Sequence, residues 1–150
     1  MDMGTIAFKI AAFEIVNLKL IEAVAETNIP IIASVGMASK KEIDKFINIV
    51  ENKKSKYILL HCISSYPLEK KYSFLENIHE LRKLYNCPIG HSDHTCGVEI
   101  PPLAIAAWAC IIEKHFTDNI KLRQSDDFFS VTHDEVVEIK SNIKKVANIM

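Results

Sequence analysis

The sequence alternates between short apolar runs and longer segments with helical periodicity, and this alternation constrains the fold more than any other feature. Five apolar runs predict β-strands, at 6–13, 30–36, 56–63, 87–90 and 110–116. Five segments carry their apolar residues on one helical face, at 18–27, 39–51, 73–86, 101–109 and 132–149. Strands that alternate with helices form βα units around a parallel sheet. The sequence therefore predicts an α/β protein with about five βα units.

Five βα units fit two architectures. One is a complete doubly wound sheet, which a chain of 150 residues can close by itself. The other is part of a (β/α)8 TIM barrel, which normally needs about 250 residues. Periodicity does not distinguish between them. In both architectures the ligand-binding residues lie at the carboxyl ends of the strands, so we expect a site there.

Composition narrows the class of partner. The net charge is -1, so there is no electrostatic reason to expect nucleic acid or an anionic membrane as a partner. The four cysteines form no C-x-x-C pair, and three lie in or beside apolar runs, which predicts reduced and mostly buried thiols. No segment approaches the roughly 20 apolar residues that span a bilayer, and no signal peptide is recognisable. We therefore expect a cytoplasmic protein.

Polar residues gather where three of the predicted strands end. The third strand ends in HCISSYP, the fourth in GHSDHT and the fifth in EKHFTD. His94 and His115 form the sharpest pair, because each closes one of two successive strands. Neighbouring strands lie about 4.8 Å apart, so these two imidazoles are expected within reach of one divalent ion. Water or a substrate oxygen would complete the ligand shell.

The other histidines have ordinary structural explanations. His61 belongs to an apolar run and is predicted to be a hydrogen-bonded core residue. His79 lies in a polar helix and His133 beside a helix start, so both are predicted to be solvated. His91 fits either a core or a site, and no chemistry is assigned to it.

Lys9 lies inside the first predicted strand, where a buried lysine is costly unless it is paired. Two readings remain open. Lys9 pairs with Glu14 or another carboxylate at the rim, or it binds an anionic substrate. The serines and threonines at the strand ends usually belong to turns and helix caps. Together with Lys9 they would also suit the binding of a phosphate or carboxylate group. They are Ser64, Ser65, Ser92, Thr95 and Thr117. The sequence contains no glycine-rich phosphate loop, which argues against a nucleotide site.

The motifs HCISSYP, GHSDHT and EKHFT, in this order and spacing, resemble those of the sialic acid synthase (N-acetylneuraminate synthase) family. KIAAFEI and PIIASVGMAS resemble two further strands of that family, and the likeness runs from about Lys9 to the last helix. Members are transferases of carbohydrate biosynthesis that condense phosphoenolpyruvate with an N-acetylmannosamine-like sugar to give a nonulosonic acid. The resemblance implies a (β/α)8 barrel followed by a small antifreeze-like domain. Only the last five βα units have counterparts here, so we expect residues 1–150 to form a single partial-barrel domain without the antifreeze-like domain.

The resemblance also assigns roles to residues. The family's divalent metal, usually Mn²⁺, is held by two histidines that match His94 and His115. Glu113, close to His115 in the sequence, is expected to act as an acid–base or water-orienting group. Three residues match positions that contact phosphoenolpyruvate: Lys9, Ser64 and Ser92. Three others match positions that hold the N-acylated amino sugar: Glu14, Tyr66 and Asp126. Metal ligation needs neutral imidazoles, so metal binding is expected to weaken below about pH 6.5.

The implied reaction joins carbon 3 of phosphoenolpyruvate to the metal-polarised aldehyde of the open-chain sugar. Water then adds to the resulting oxocarbenium, and phosphate leaves with C–O cleavage. The sequence departs from the family pattern at one residue and at one tripeptide. Ala12 stands where many members have a serine, and the tripeptide QSD, at 124–126, stands where many have GPD.

Three hypotheses follow. The chain is a synthase of this type or a fragment of one, a non-catalytic truncated product or half of a split barrel, or a doubly wound domain that binds a small anion. Five barrel strands alone would leave two exposed edges and an uncovered interior. We therefore expect the isolated chain to be inactive or to associate, either as a homo-oligomer or with a complementing chain.

Overall fold

The computed structural model describes residues 4–118 and 126–150. Its strands are β1 (Phe8–Ile10), β2 (Ile31–Ser34), β3 (Tyr57–Cys62), β4 (Ile89–Asp93) and β5 (Ile112–Lys114). Its α-helices are α1 (Leu18–Glu26), α2 (Lys40–Asn52), α3 (Glu76–Leu84), α4 (Ile100–Ala106) and α5 (His133–Ala147). Short 3-10 helices lie at Ala12–Glu14 and Lys70–Tyr72. The alternation of strands and helices predicted from the sequence is confirmed.

The order of the strands decides between the two architectures. The sheet runs β1-β2-β3-β4-β5, which is the order of the strands along the chain. A doubly wound sheet reverses its strand order at a switch point, whereas a (β/α)8 barrel adds each strand beside the previous one. No reversal occurs among the described strands, so the doubly wound alternative is wrong. The fold is α/β, with five βα units of a partial (β/α)8 barrel.

The chain divides into two compact units, residues 1–60 (unit 1) and 61–150 (unit 2). Unit 1 contains β1, β2 and the first four residues of β3, paired in parallel. Helix α2 begins at the predicted capping box, in which the Glu42 carboxylate accepts from the Ser39 amide at 2.7 Å. Its apolar face contributes Phe46 and Val50, both fully buried, to the core of unit 1. Local capping and periodicity thus account for this helix.

Strand β4, in unit 2, corrects the prediction of a strand at 87–90. It runs from Ile89 to Asp93, and all five of its residues are buried. The motif GHSDHT therefore lies largely within the strand instead of following it. Hydrogen bonds offset much of the cost of burying its polar side chains: His91 Nδ1 bonds the His61 carbonyl, Ser92 bonds Glu113 and Asp93 bonds Lys114. His91 Nε2 is buried without a hydrogen-bond partner among the described residues. The prediction ended the strand too early because the residues at 91–93 are polar.

Two stacked histidines form part of the unit 2 core. His61 is 4% exposed and its Nε2 lies 2.9 Å from the Ser73 carbonyl oxygen, which confirms the prediction of a hydrogen-bonded core residue. Its ring stacks on that of His91 at a centroid distance of 5.3 Å. Burial lowers the pKa of His61, and burial together with the neighbouring His61 lowers the pKa of His91 to about 4. His79 and His133 are exposed, as predicted.

The cysteines depart from the prediction in their burial. None of the four forms a disulfide among the described residues, as predicted, but only Cys62 is buried, whereas Cys96 and Cys110 are exposed. Among the described residues, the structure has no helix whose length and apolar character would suit a membrane span.

The buried histidine pair predicts a pH-dependent stability. In the unfolded chain these imidazoles titrate near the ordinary value of about 6.5, whereas in the fold their pKa values are lower. Between those values the unfolded state binds more protons, so acidification favours unfolding. We expect the free energy of unfolding to fall as the pH drops from about 6.5 to about 4, measured by urea denaturation.

The variant His91→Phe should flatten this dependence, because it removes an imidazole whose pKa burial lowers to about 4. The exposed His133 provides the control: His133→Gln should retain the wild-type pH dependence. Identical slopes for the wild type and His91→Phe would contradict the account.

Candidate metal and substrate site

Three segments of unit 2 meet at the carboxyl ends of β4 and β5. The loop after β3 is tied to β4 by a hydrogen bond from the Leu68 amide to the His94 carbonyl, at 2.9 Å. The segment before α5 is tied to β5 by a bond from the Val131 amide to the His115 carbonyl, also 2.9 Å. These backbone bonds gather predicted site residues from three parts of the sequence around the two histidines.

His94 and His115 are neighbours, as the sequence predicted. Their ring centroids are 5.6 Å apart and the ring planes meet at 68°. His94 is 5% exposed, and its Nδ1 lies 2.8 Å from the Ile63 carbonyl oxygen. A carbonyl only accepts, so Nδ1 carries the proton and Nε2 keeps its lone pair. Burial also lowers the pKa of His94, which favours this neutral form.

The His115 ring lies between an acidic and an aromatic neighbour. Its Nδ1 is 3.6 Å from Asp126 Oδ2, and its ring centroid is 4.7 Å from that of Phe129. The side chain is 34% exposed, so it faces solvent more than His94 does. The structure therefore brings predicted sugar-binding and metal-binding residues together at this position.

Ser92 links His94 to Glu113. The Ser92 hydroxyl donates to Glu113 Oε1 at 2.6 Å, and its oxygen lies 3.4 Å from His94 Nε2. Ser92 and Glu113 are partners in the parallel pairing of β4 and β5, so their side chains leave the sheet on the same face. This places a carboxylate next to the free nitrogen of His94.

The donor set fits an open metal site. The histidine pair offers two nitrogen donors, the kind of ligand that Zn²⁺, Fe²⁺ and Mn²⁺ accept in proteins. Among the described residues no group of three or more His, Cys, Asp or Glu side chains is arranged to hold a metal. The pair therefore fits a site that leaves positions for water or substrate, and it does not fit a closed structural site.

Two aromatic rings lie against the histidines, Tyr66 exposed to solvent and Phe129 buried. Tyr66 is 51% exposed and its ring centroid lies 4.2 Å from that of His94. Phe129 is 2% exposed and lies 5.8 Å from Tyr66. Sequence reasoning missed Phe129, for which the only signal was the apolar pair that follows Asp126 and Asp127.

Two predicted site residues belong to unit 1. Lys9 lies at the centre of β1 and is exposed, so the expectation of a lysine in a buried strand is wrong. Its Nζ donates to Ser34 Oγ at 2.8 Å and to the Ile10 carbonyl at 3.1 Å. Glu14 ends the first 3-10 helix, and its Oε2 accepts from Asn17 Nδ2 at 2.9 Å.

The remaining sequence predictions concern Ser64, Ala12 and the tripeptide at 124–126. Ser64 is partly buried in the loop after β3, in unit 2. Ala12, which stands where a serine was expected from the resemblance, is 8% exposed. In the QSD tripeptide, Gln124 and Ser125 lie outside the described residues.

Comparisons of the sequence and of the structure with known proteins point to the same family. The NeuB family model matches residues 1–150. The chain is 32% identical over 154 residues to an N,N'-diacetyllegionaminic acid synthase of Legionella pneumophila, covering 99% of this chain. It is 40% identical over 125 residues to a pseudaminic acid synthase of Helicobacter pylori, covering 83%. The crystal structure of a sialic acid synthetase from Leptospira borgpetersenii matches 99% of this chain with a TM-score of 0.95 and 40% identity.

The chain spans only part of each of these proteins. It covers 43% of the Legionella protein, 37% of the Helicobacter protein and 52% of the Leptospira chain. The family model nevertheless matches this sequence from its first residue to its last, and the strand order agrees with a barrel of that family. The chain belongs to the NeuB family.

Proposed function

We propose that this chain provides the metal-binding side of a synthase that condenses phosphoenolpyruvate with an N-acylated amino sugar to give a nonulosonic acid. The observation that carries the proposal is the His94–His115 pair, in which the Ile63 carbonyl fixes the His94 tautomer. The relatives support it, because their names describe synthases of legionaminic, pseudaminic and sialic acids. The enzyme class is that of C–C bond-forming transferases.

His94 and His115 are the proposed ligands of a divalent ion, with Mn²⁺ as the first candidate. When bound, the ion supplies a Lewis acid for the carbonyl oxygen of the sugar. The protein's part is to keep both imidazoles neutral, and burial of His94 serves this by lowering its pKa. In metal sites generally, an acceptor bonded to the second ring nitrogen orients a histidine ligand. The Ile63 carbonyl is such an acceptor for His94.

Glu113 is the proposed acid–base group. In the reaction, carbon 3 of phosphoenolpyruvate attacks the sugar aldehyde, and water then adds at carbon 2 before phosphate leaves by C–O cleavage. The attacking water must lose a proton, and the Glu113 carboxylate is the proposed acceptor. The Ser92 hydroxyl, 2.6 Å from Oε1, holds this carboxylate in position on the site face.

The substrate contacts follow the resemblance. Tyr66 and Asp126 lie against His94 and His115, where they suit the hydroxyl groups of a sugar. The remaining proposed contacts are Ser92, Ser64 and Lys9 for phosphoenolpyruvate and Glu14 for the sugar. The legionaminic and pseudaminic acid synthases are similarly related to this chain, so the proposal names the sugar class and no individual sugar.

The reaction is proposed to take place in the cytoplasm, since the four cysteines of the described residues form no disulfide, as suits a reducing compartment. A non-catalytic role in a split or complemented barrel is the second candidate. The chain spans 37–52% of the length of the three relatives. In either case a polypeptide of these 150 residues alone supplies one side of the proposed site.

The metal assignment predicts the effect of three histidine substitutions. His94→Ala and His115→Ala should each abolish Mn²⁺ binding, because each removes one of two protein ligands. His79→Ala, at an exposed position on α3, should bind Mn²⁺ like the wild type. Isothermal titration of the purified chain with MnCl₂ measures the three affinities. Loss of binding in His61→Ala, with binding retained in His94→Ala, would show that the ligands are misassigned.

The coverage of the relatives predicts the activity of the isolated chain. Purified protein of residues 1–150, incubated with phosphoenolpyruvate, N-acetylmannosamine and Mn²⁺, should form no nonulosonic acid above background. Addition of a separate chain carrying the other strands of a family barrel should restore product, and His94→Ala should prevent this. Robust turnover by the isolated chain would refute the requirement for further parts.

A further inference from the structure

A buried ion pair lies behind the proposed site. Lys114 Nζ is 2.8 Å from Asp93 Oδ2, and the two side chains are 6% and 0% exposed. The residues are partners in the pairing of β4 and β5, one position beyond Ser92 and Glu113. Successive side chains of a strand point to opposite faces of the sheet. The pair therefore occupies the face opposite to the site.

The ion pair is also hydrogen-bonded to Thr95, so it involves the residues immediately before and after His94. Lys114 Nζ also donates to the Thr95 carbonyl at 2.6 Å, and Asp93 Oδ1 accepts from the Thr95 amide at 2.9 Å. Lys114, a residue of β5, is thereby attached to the side chain of the residue before His94 and to the backbone of the residue after it. Lys114 is itself the residue before His115. One ammonium group thus connects the chain segments that present the two imidazoles.

Stability alone gives a weak reason for such a pair. Desolvation of two charges offsets much of their attraction, and well-packed apolar residues often replace a buried ion pair without loss of stability. Directional bonds to a defined carbonyl and amide, in contrast, fix the relative position of two strands. The bonds to the amide and the carbonyl of Thr95, the residue after His94, are of this directional kind.

We infer that Asp93 and Lys114 are positioning residues, which set the separation and orientation of His94 and His115 from the face opposite to the site. This inference rests on the proposed function, since it concerns the two-histidine metal site. Outer-shell partners of metal ligands typically contribute about 10- to 100-fold to metal affinity. The pair acts one step farther out, through the backbone that carries the ligands.

The decisive variant removes both charges together. Single substitutions Asp93→Asn and Lys114→Met each leave a buried charge unpaired and should lower the melting temperature strongly. The double variant D93N/K114M should regain stability relative to both single variants, yet bind Mn²⁺ at least about tenfold more weakly than the wild type. Electron paramagnetic resonance of free Mn²⁺ measures the affinity, and thermal unfolding measures the stability.

A matched control separates positioning from general destabilisation. Val50→Ala creates a cavity in the core of unit 1, where Val50 is fully buried. It should lower the melting temperature but leave the Mn²⁺ affinity unchanged. Loss of affinity in this control equal to that in D93N/K114M would overturn the inference.

A readout without metal distinguishes failure of this inference from failure of the proposed function. Long-range ¹⁵N–¹H NMR of the metal-free wild type should show His94 protonated at Nδ1, whereas D93N/K114M should show a mixture of tautomers. A wild type that binds no Mn²⁺ counts against the proposed function, and the NMR comparison still tests the positioning role. Wild-type His94 signals in the double variant, or wild-type Mn²⁺ affinity, overturn the inference.

Discussion

The register of β4 against β5 is the constraint on which the proposed site depends. It pairs Ser92 with Glu113 on one face of the sheet and Asp93 with Lys114 on the other. A slip of β5 by one residue would exchange its two faces, placing Lys114 in the site and the carboxylate of Glu113 behind it. The ion pair and the serine–glutamate bond each satisfy buried polar groups only in the observed register, so they oppose such a slip.

Burial of imidazole has two consequences in unit 2. At His94 it lowers the pKa and, together with the Ile63 carbonyl, keeps a neutral ring with a free Nε2, as a metal ligand requires. At His61 and His91 it creates a polar pair inside the core, which acid destabilises. Acid is therefore expected to weaken both the site and the fold that holds it.

Local signals in the sequence predicted the helices well, because capping boxes such as Ser39 with Glu42 and Thr132 with Glu135 act within four residues. The closeness of His94 and His115 also followed from the sequence, since parallel strands end at one rim. The extent of β4 did not, because its polar side chains are hydrogen-bonded to residues distant in the sequence. Phe129 and the Asp93–Lys114 pair were hidden for the same reason: their roles exist only once the chain is folded.

The central claim is that His94 and His115 bind one divalent ion. A crystal of the chain soaked in MnCl₂, with diffraction collected on both sides of the manganese absorption edge, tests it most directly. The account predicts an anomalous difference peak bonded to His94 Nε2 and to the His115 ring, with the His94 Nδ1 still directed at the Ile63 carbonyl. Density that shows no manganese between the two rings, or manganese bound only at other residues, would contradict it.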